Sequence, residues 1–262
     1  MNKPVRRAAA GRVFITGESP LVEEYASACL AAGIVPAVRF NPGAGGKPPR
    51  GALRTTRPPA GCVAGLELTN TSREAKRKNL AAMDAALPGG VPILSASAAT
   101  TVAEQSVWIR NPGRLIGIAA LPTLLSGTLV ELAPSARAGS GAVDAAKKFF
   151  AGLGKESSVV EDAPGMVLPR ILCMLVNEAS FALAERVAGR VDIDRAMTLG
   201  TNYPLGPVEW GLRIGLAQVR AVLECLQREF GEDRYRTAPL LARGLPESWE
   251  SRGAGTQGGH IQ

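Results

Sequence analysis

Acid–base chemistry near neutral pH starts from a histidine, a reactive thiol, a tuned carboxylate or a bound metal. This sequence is poor in such groups. Its single histidine, His260, falls in a glycine-rich tail, a poor place to hold a general base. Its four cysteines, Cys29, Cys62, Cys173 and Cys225, are widely spaced without a Cys-x-x-Cys pair, and read as free buried thiols. Asn177 and Glu178 stand midway along an apolar helical run and need polar partners. Lys47, Arg50, Arg54 and Arg57 lie in a Gly/Pro-rich segment, 41–61, placed to meet a phosphate, although a mobile solvated loop is the simpler reading.

The composition narrows the class. The chain has 262 residues, 46% hydrophobic and 20% charged, enough for one large domain or two small ones around a sizeable core. No apolar run has the length of a membrane span, and the basic, alanine-rich N-terminus lacks a hydrophobic signal core, so a cytoplasmic protein is expected. The net charge of +7 comes from 30 Lys and Arg against 23 Asp and Glu. These basic residues are scattered and aromatics are only 5%, so no basic stripe interleaved with aromatics points to nucleic acid.

The periodicity places the elements. Residues 12–16 form a short apolar strand, and 20–32 a helix with Ser19 as N-cap and Pro20 as first residue. Residues 35–40 form a second strand, weakened by Pro36, and complete a β-α-β unit typical of a parallel sheet. Further strands are predicted at 62–68, 91–94, 115–121, 128–132 and 157–160. Helices are predicted at 73–86, capped by Ser72, and at 142–153. From there the pattern becomes helical. A long helix starts near Pro169, runs to Val187 and closes at Gly189. A short one spans 193–199, with Asp192 as N-cap and Gly200 as stop, and Pro204, Gly206 and Pro207 then force a corner. Helices near 216–230 and 238–243 finish the chain.

One stretch carries more than periodicity. Asp-Ala-Pro-Gly at 162–165, Arg170, Asn-Glu-Ala at 177–179, Asp-Ile-Asp-Arg-Ala-Met at 192–197 and Asn-Tyr-Pro-Leu-Gly-Pro at 202–207 together resemble the C-terminal helical domain of the L-3-hydroxyacyl-CoA dehydrogenase family. The likeness is greatest to the diverged second module of double-module bacterial members, and it extends more weakly back to about Arg12. It implies an α/β Rossmann-like domain with a mainly parallel sheet over 1–161, followed by an all-α dimerisation domain over 162–262. It also implies an acyl-CoA substrate, an NAD cofactor and a dimer.

Several positions depart from that family. The three glycines of the dinucleotide turn correspond to Thr16, Glu18 and Leu21, leaving Gly17 between them, and the ribose-binding acid corresponds to Phe40. The helical arm that contacts CoA is absent from 41–61. The base histidine corresponds to Ala119, the active-site serine to Ala98 and the substrate-binding asparagine to Pro169. Two later aspartates correspond to Leu212 and Ala217. Glu131 matches the glutamate that orients the histidine, and Lys76 matches a lysine near the cofactor, with a solvated helix lysine as the plainer reading. The expectation is a non-catalytic family member without NAD, acting as a binding or assembly subunit, as a homodimer or beside a related dehydrogenase. Two alternatives stay open: an active NAD-dependent dehydrogenase with a relocated site, and an acyl-CoA sensor or carrier.

Overall fold

A computed structural model describes residues 11–243, so His260 and the first ten residues lie outside the described residues. By compactness the chain divides into two units between Arg170 and Ile171.

The first unit is built on one eight-stranded sheet. Its strands are β1 (Arg12–Gly17), β2 (Val35–Phe40), β3 (Leu53–Arg54), β4 (Cys62–Leu68), β5 (Ile93–Ala96), β6 (Leu115–Ile118), β7 (Leu129–Pro134) and β8 (Glu156–Val159). They lie in the order β3-β2-β1-β4-β5-β6-β7-β8, and every pairing is parallel except β6 with β7. The order reverses between β1 and β4, the switch point where doubly wound sheets open a crevice at the carboxyl ends of their strands. The helices are α1 (Leu21–Ala31), α2 (Arg73–Ala86), α3 (Val102–Ser106) and α4 (Ser140–Gly152).

Both faces of the sheet are covered, which explains why the central strands are mostly apolar rather than alternating. Val13, Ile15, Leu66, Leu94 and Ile116 join Leu21, Tyr25 and Phe150 in one cluster. Phe14, Ile93 and Leu115 join Leu80, Met83 and Val102 in the other. A Cβ at Gly65 would run into Met83 and Leu87, so its bare backbone lets α2 lie close on β4. Arg114 is buried and clamps α2 from below: it pairs with Asp84 at 2.8 Å and donates to the carbonyls of Asp84, Leu87 and Pro88.

The second unit is helical. It contains most of α5 (Leu168–Ala184), then α6 (Arg190–Thr201), α7 (Pro207–Ile214), α8 (Leu216–Phe230) and α9 (Pro239–Arg243). Asn177 meets its polar need with backbone: its amide donates to Arg236 O at 2.9 Å and its oxygen accepts from Ala238 N–H at 2.8 Å. Glu178 is exposed. The second aspartate of the Asp-Ile-Asp run, Asp194, accepts the Val208 and Glu209 N–H groups at 2.8 and 3.1 Å, satisfying the orphan donors at the start of α7. Gly206 is required beside it, because a Cβ there would strike the Asp194 carboxyl. Pro207 occupies the first turn of α7, where no N–H is missed.

Three expectations need correction. Ser19 does not cap α1: Pro20 holds the cap position, and the Ser19 hydroxyl donates to Glu23 at 2.7 Å. Asp192 is inside α6 rather than its cap; Gly189 is the cap, the helix runs through Gly200, and Asn202 ends it in the left-handed conformation at φ 57°. The 41–61 segment is not wholly irregular, since β3 adds to the edge of β2. β2 pairs with β1 along its whole length, and with β3 at Ala37 and Val38.

The cap at α7 gives a direct test. Burial raises the Asp194 carboxyl above its ordinary range, against the pull of the Val208 and Glu209 N–H groups. With a raised folded value, its stabilising contribution is full below the unfolded value and is lost as pH rises through the folded one. Asp194→Ala should cost about 1 kcal/mol in urea unfolding. Asp194→Asn, which keeps an acceptor, should cost less and remove that loss with rising pH; equal costs for the two variants would contradict the capping role.

Candidate functional site

The natural place for a site is the crevice at the carboxyl ends of β1, β4, β5 and β6. Thr16, at the first glycine position, is fully buried and accepts from Arg39 Nε at 3.1 Å. Gly17 has φ 153°, and a Cβ there would strike the Leu68 backbone; the ends of β1 and β4 meet only because the residue is glycine. Glu18 is buried, and its carboxylate turns onto the loop after β4. It accepts the Asn70 N–H at 2.9 Å, the Thr71 N–H at 3.3 Å and the Thr71 hydroxyl at 2.5 Å. Leu21, at the third glycine position, packs into the core.

These residues do not fit the pyrophosphate of a dinucleotide. The Glu18 N–H is spent on Leu68 O at 3.0 Å, Pro20 has none, and a carboxylate is drawn into the turn. Phe40, at the ribose position, has its ring packed against Gly46.

Lys76 is not a solvated helix lysine. It is 1% exposed, ion-paired to Glu67, and donates to Ser95 Oγ at 3.2 Å and Ala96 O at 2.7 Å. Glu67 also accepts from Asn79 Nδ2 at 3.0 Å. Asn79 in turn donates to Asn41 and accepts from Arg39, both at 2.8 Å. Glu67, Asn79 and Arg39 were not anticipated from the residues. The available signal was an acid inside an apolar strand, which must find a partner.

Across the crevice, alanines stand at the positions matched to the base and the serine. Ala98 and Ala119 are buried, and the described residues contain no histidine. Ser97 donates to Ser95 O at 3.0 Å and accepts from Gln105 at 2.9 Å. Glu131, in β7, accepts the Val167 and Leu168 N–H groups at 2.8 and 2.7 Å, so the carboxylate caps the start of α5. Asp162 does the same at α3, accepting from Val102 and Ala103 at 2.8 and 2.7 Å. Pro169 is buried in the first turn of α5, while Leu212 and Ala217 are exposed on the second unit.

All four cysteines are buried and free, as read from their spacing. Burial pushes the Cys29 thiol up to about 12, far from a reactive thiolate. Among the described residues no cluster of His, Cys, Asp and Glu could hold a metal, and no helix is long and apolar enough to cross a membrane.

Glu131→Ala should therefore cost stability, by about 1–2 kcal/mol from the loss of two charge-assisted caps, with Glu131→Gln intermediate. Chemical denaturation of the two variants checks this; an unchanged midpoint in Glu131→Ala would remove the cap.

Comparison with known proteins agrees with this architecture. Residues 165–258 match the family model described as 3-hydroxyacyl-CoA dehydrogenase, C-terminal domain. A 3-hydroxybutyryl-CoA dehydrogenase of Bradyrhizobium diazoefficiens is 31% identical over 193 residues, 74% of this chain and 66% of that protein. A 3-hydroxyadipyl-CoA dehydrogenase of Escherichia coli is 41% identical over 125 residues, 47% of this chain and 26% of that protein. The aligned part thus spans between about a quarter and two thirds of these two relatives' lengths. In fold, the crystal structure of (S)-3-hydroxybutyryl-CoA dehydrogenase from Ralstonia eutropha superposes with a TM-score of 0.72 at 24% identity, covering 89% of this chain and 93% of that one. FadB2 of M. tuberculosis superposes at 0.77 and 20%, covering 90% and 93%. The sheet order, the helical second unit and these matches lead to one conclusion: the chain belongs to the 3-hydroxyacyl-CoA dehydrogenase family.

Proposed function

We propose that this chain is a non-catalytic member of its family, acting as a binding or assembly subunit in acyl-CoA metabolism. The observation that carries the reading is the state of the base position. Ala119 can take no proton, and the carboxylate that would orient a base there, Glu131, is occupied by two backbone N–H groups. Oxidising a 3-hydroxyl needs a base within hydrogen-bond reach of its proton, titrating near working pH. The misfit of the β1–α1 turn to a pyrophosphate supports the same reading.

Relatives named as 3-hydroxybutyryl-CoA dehydrogenases make acetoacetyl-CoA the substrate to try. The expected result is no NADH binding by calorimetry at near-millimolar cofactor and no acetoacetyl-CoA reduction above blank. Ala119→His alone should not restore turnover, because the turn is still unsuited to the cofactor. A rate proportional to enzyme concentration would favour the active-dehydrogenase reading instead.

The assembly half of the proposal rests on the helical unit. Within α6 no residue is buried, although it carries Val191, Ile193, Met197 and Leu199, the last 75% exposed. Ile171, Val187, Tyr203 and Leu212 add further exposed apolar surface. Exposed apolar side chains in such number suit a contact surface. A homodimer, or a heterodimer with a related dehydrogenase subunit, would cover them through the helices of 165–230. Light scattering at micromolar concentration should give a dimer mass. A clean monomer, with no related subunit co-purifying, would overturn the assembly role.

A further inference from the structure

The misfit between the β1–α1 turn and a dinucleotide has a specific structural cause. Three donors converge on Glu18: two backbone N–H groups and one hydroxyl, from the adjacent residues Asn70 and Thr71. Such convergence is how proteins bind a free carboxylate or other oxyanion. Here the anion comes from the chain itself. Glu18 is tied at every polar atom of its backbone as well: its N–H donates to Leu68 O at 3.0 Å and its carbonyl accepts from Val22 at 3.1 Å. Asn70 then carries the link onward, its amide donating to Ala120 O at 2.8 Å beyond the end of β6. A second strap runs parallel to the first, since both oxygens of Glu24 in α1 accept the Thr123 N–H at 3.1 Å. Hydrogen bonds therefore run from the β1–α1 turn to the end of β6, across the mouth of the crevice.

We infer that the Asn70–Thr71 donors form a carboxylate site that Glu18 fills from within the chain, closing the strand-end crevice, and that shortening Glu18 opens this site to a small free carboxylate. The inference deepens the non-catalytic proposal for the same crevice. The two are separable: NADH-dependent turnover by the unaltered protein would defeat that proposal, whereas this one stands or falls on anion rescue.

The test uses the full chain and thermal unfolding. Glu18→Ala leaves the Asn70 and Thr71 N–H groups without their anion and creates a space about the size of formate or acetate. Its melting temperature should fall by several degrees. Formate or acetate should restore at least half of that loss, whereas chloride at matched ionic strength should not, and the unaltered protein should show no such response. Adding Thr71→Val, which removes the hydroxyl donor, should weaken the rescue. If Glu18→Ala does not fold, Glu18→Gln supplies the readout: its amide fills the space, so it should melt below the unaltered protein and ignore formate. No rescue of a folded Glu18→Ala by formate or acetate, rescue by chloride as effective as by formate, an equal formate response in the unaltered protein, or a Glu18→Gln variant as stable as the unaltered protein would each overturn the inference.

Discussion

The ion pair between Lys76 and Glu67 is the constraint on which the first unit depends. Both side chains are within a per cent of full burial. Taking two such charges out of water costs several kcal/mol per ion, and the arrangement is stable only when every remaining donor and acceptor is used. Here they are used. Lys76 spends its ammonium on Glu67, Ser95 Oγ and the Ala96 carbonyl; Glu67 also accepts from Asn79, Ser95 and the Thr69 N–H. Asn79 passes the network to Asn41 and Arg39, and Arg39 reaches Thr16. The result joins β1, β2, β4, β5 and α2 at the carboxyl ends of the strands. In a site that binds a polar ligand, side chains there are turned toward the ligand; in this chain they are turned toward one another.

Carboxylates elsewhere in the unit show the same inward use. Glu18, Glu131 and Asp162 each accept a pair of adjacent backbone N–H groups, and the latter two do so at helix starts, where the field favours a negative charge. A helix start or a tight loop with converging N–H groups is the usual place for a phosphate or carboxylate ligand. When the protein supplies the anion, the loop is held without a ligand.

The sequence exposed the parts of this structure that depend on periodicity. Strands buried on both faces appear as short apolar runs, and α2, α4, α5 and α8 as helical stripes, because burial acts on every turn or every second residue. The cap at Ser72 was legible for a similar reason: its hydroxyl serves Ala75 N–H within its own turn. Features settled by distant partners were not. Ser19 is chemically suited to cap α1, but Pro20 takes the cap position one residue later, and the Ser19 hydroxyl donates to Glu23 instead. Asp192 is suited to cap α6, yet the aspartate that caps is Asp194, and it serves α7 instead. Lys76 looks like any helix lysine until Glu67 is placed opposite it by the packing of α2 on β4. For the site, identity at single positions told which groups are missing, but not that Glu18 is drawn onto Asn70 and Thr71, because that depends on where the β4–α2 loop comes to lie.

Glu131 illustrates how a buried carboxylate can be satisfied by backbone donors. A glutamate buried beside an alanine, with no cation or donor, would be worth several kcal/mol of instability. That cost does not arise here, because the chain entering α5 brings two N–H groups to the carboxylate oxygens at 2.8 and 2.7 Å. Removing the carboxylate would in turn orphan both donors at the start of α5. The position is therefore held by a structural demand that is independent of a general base. Its presence alone is no argument for catalysis; the discriminating fact is which hydrogen bonds it makes, and those are with the backbone.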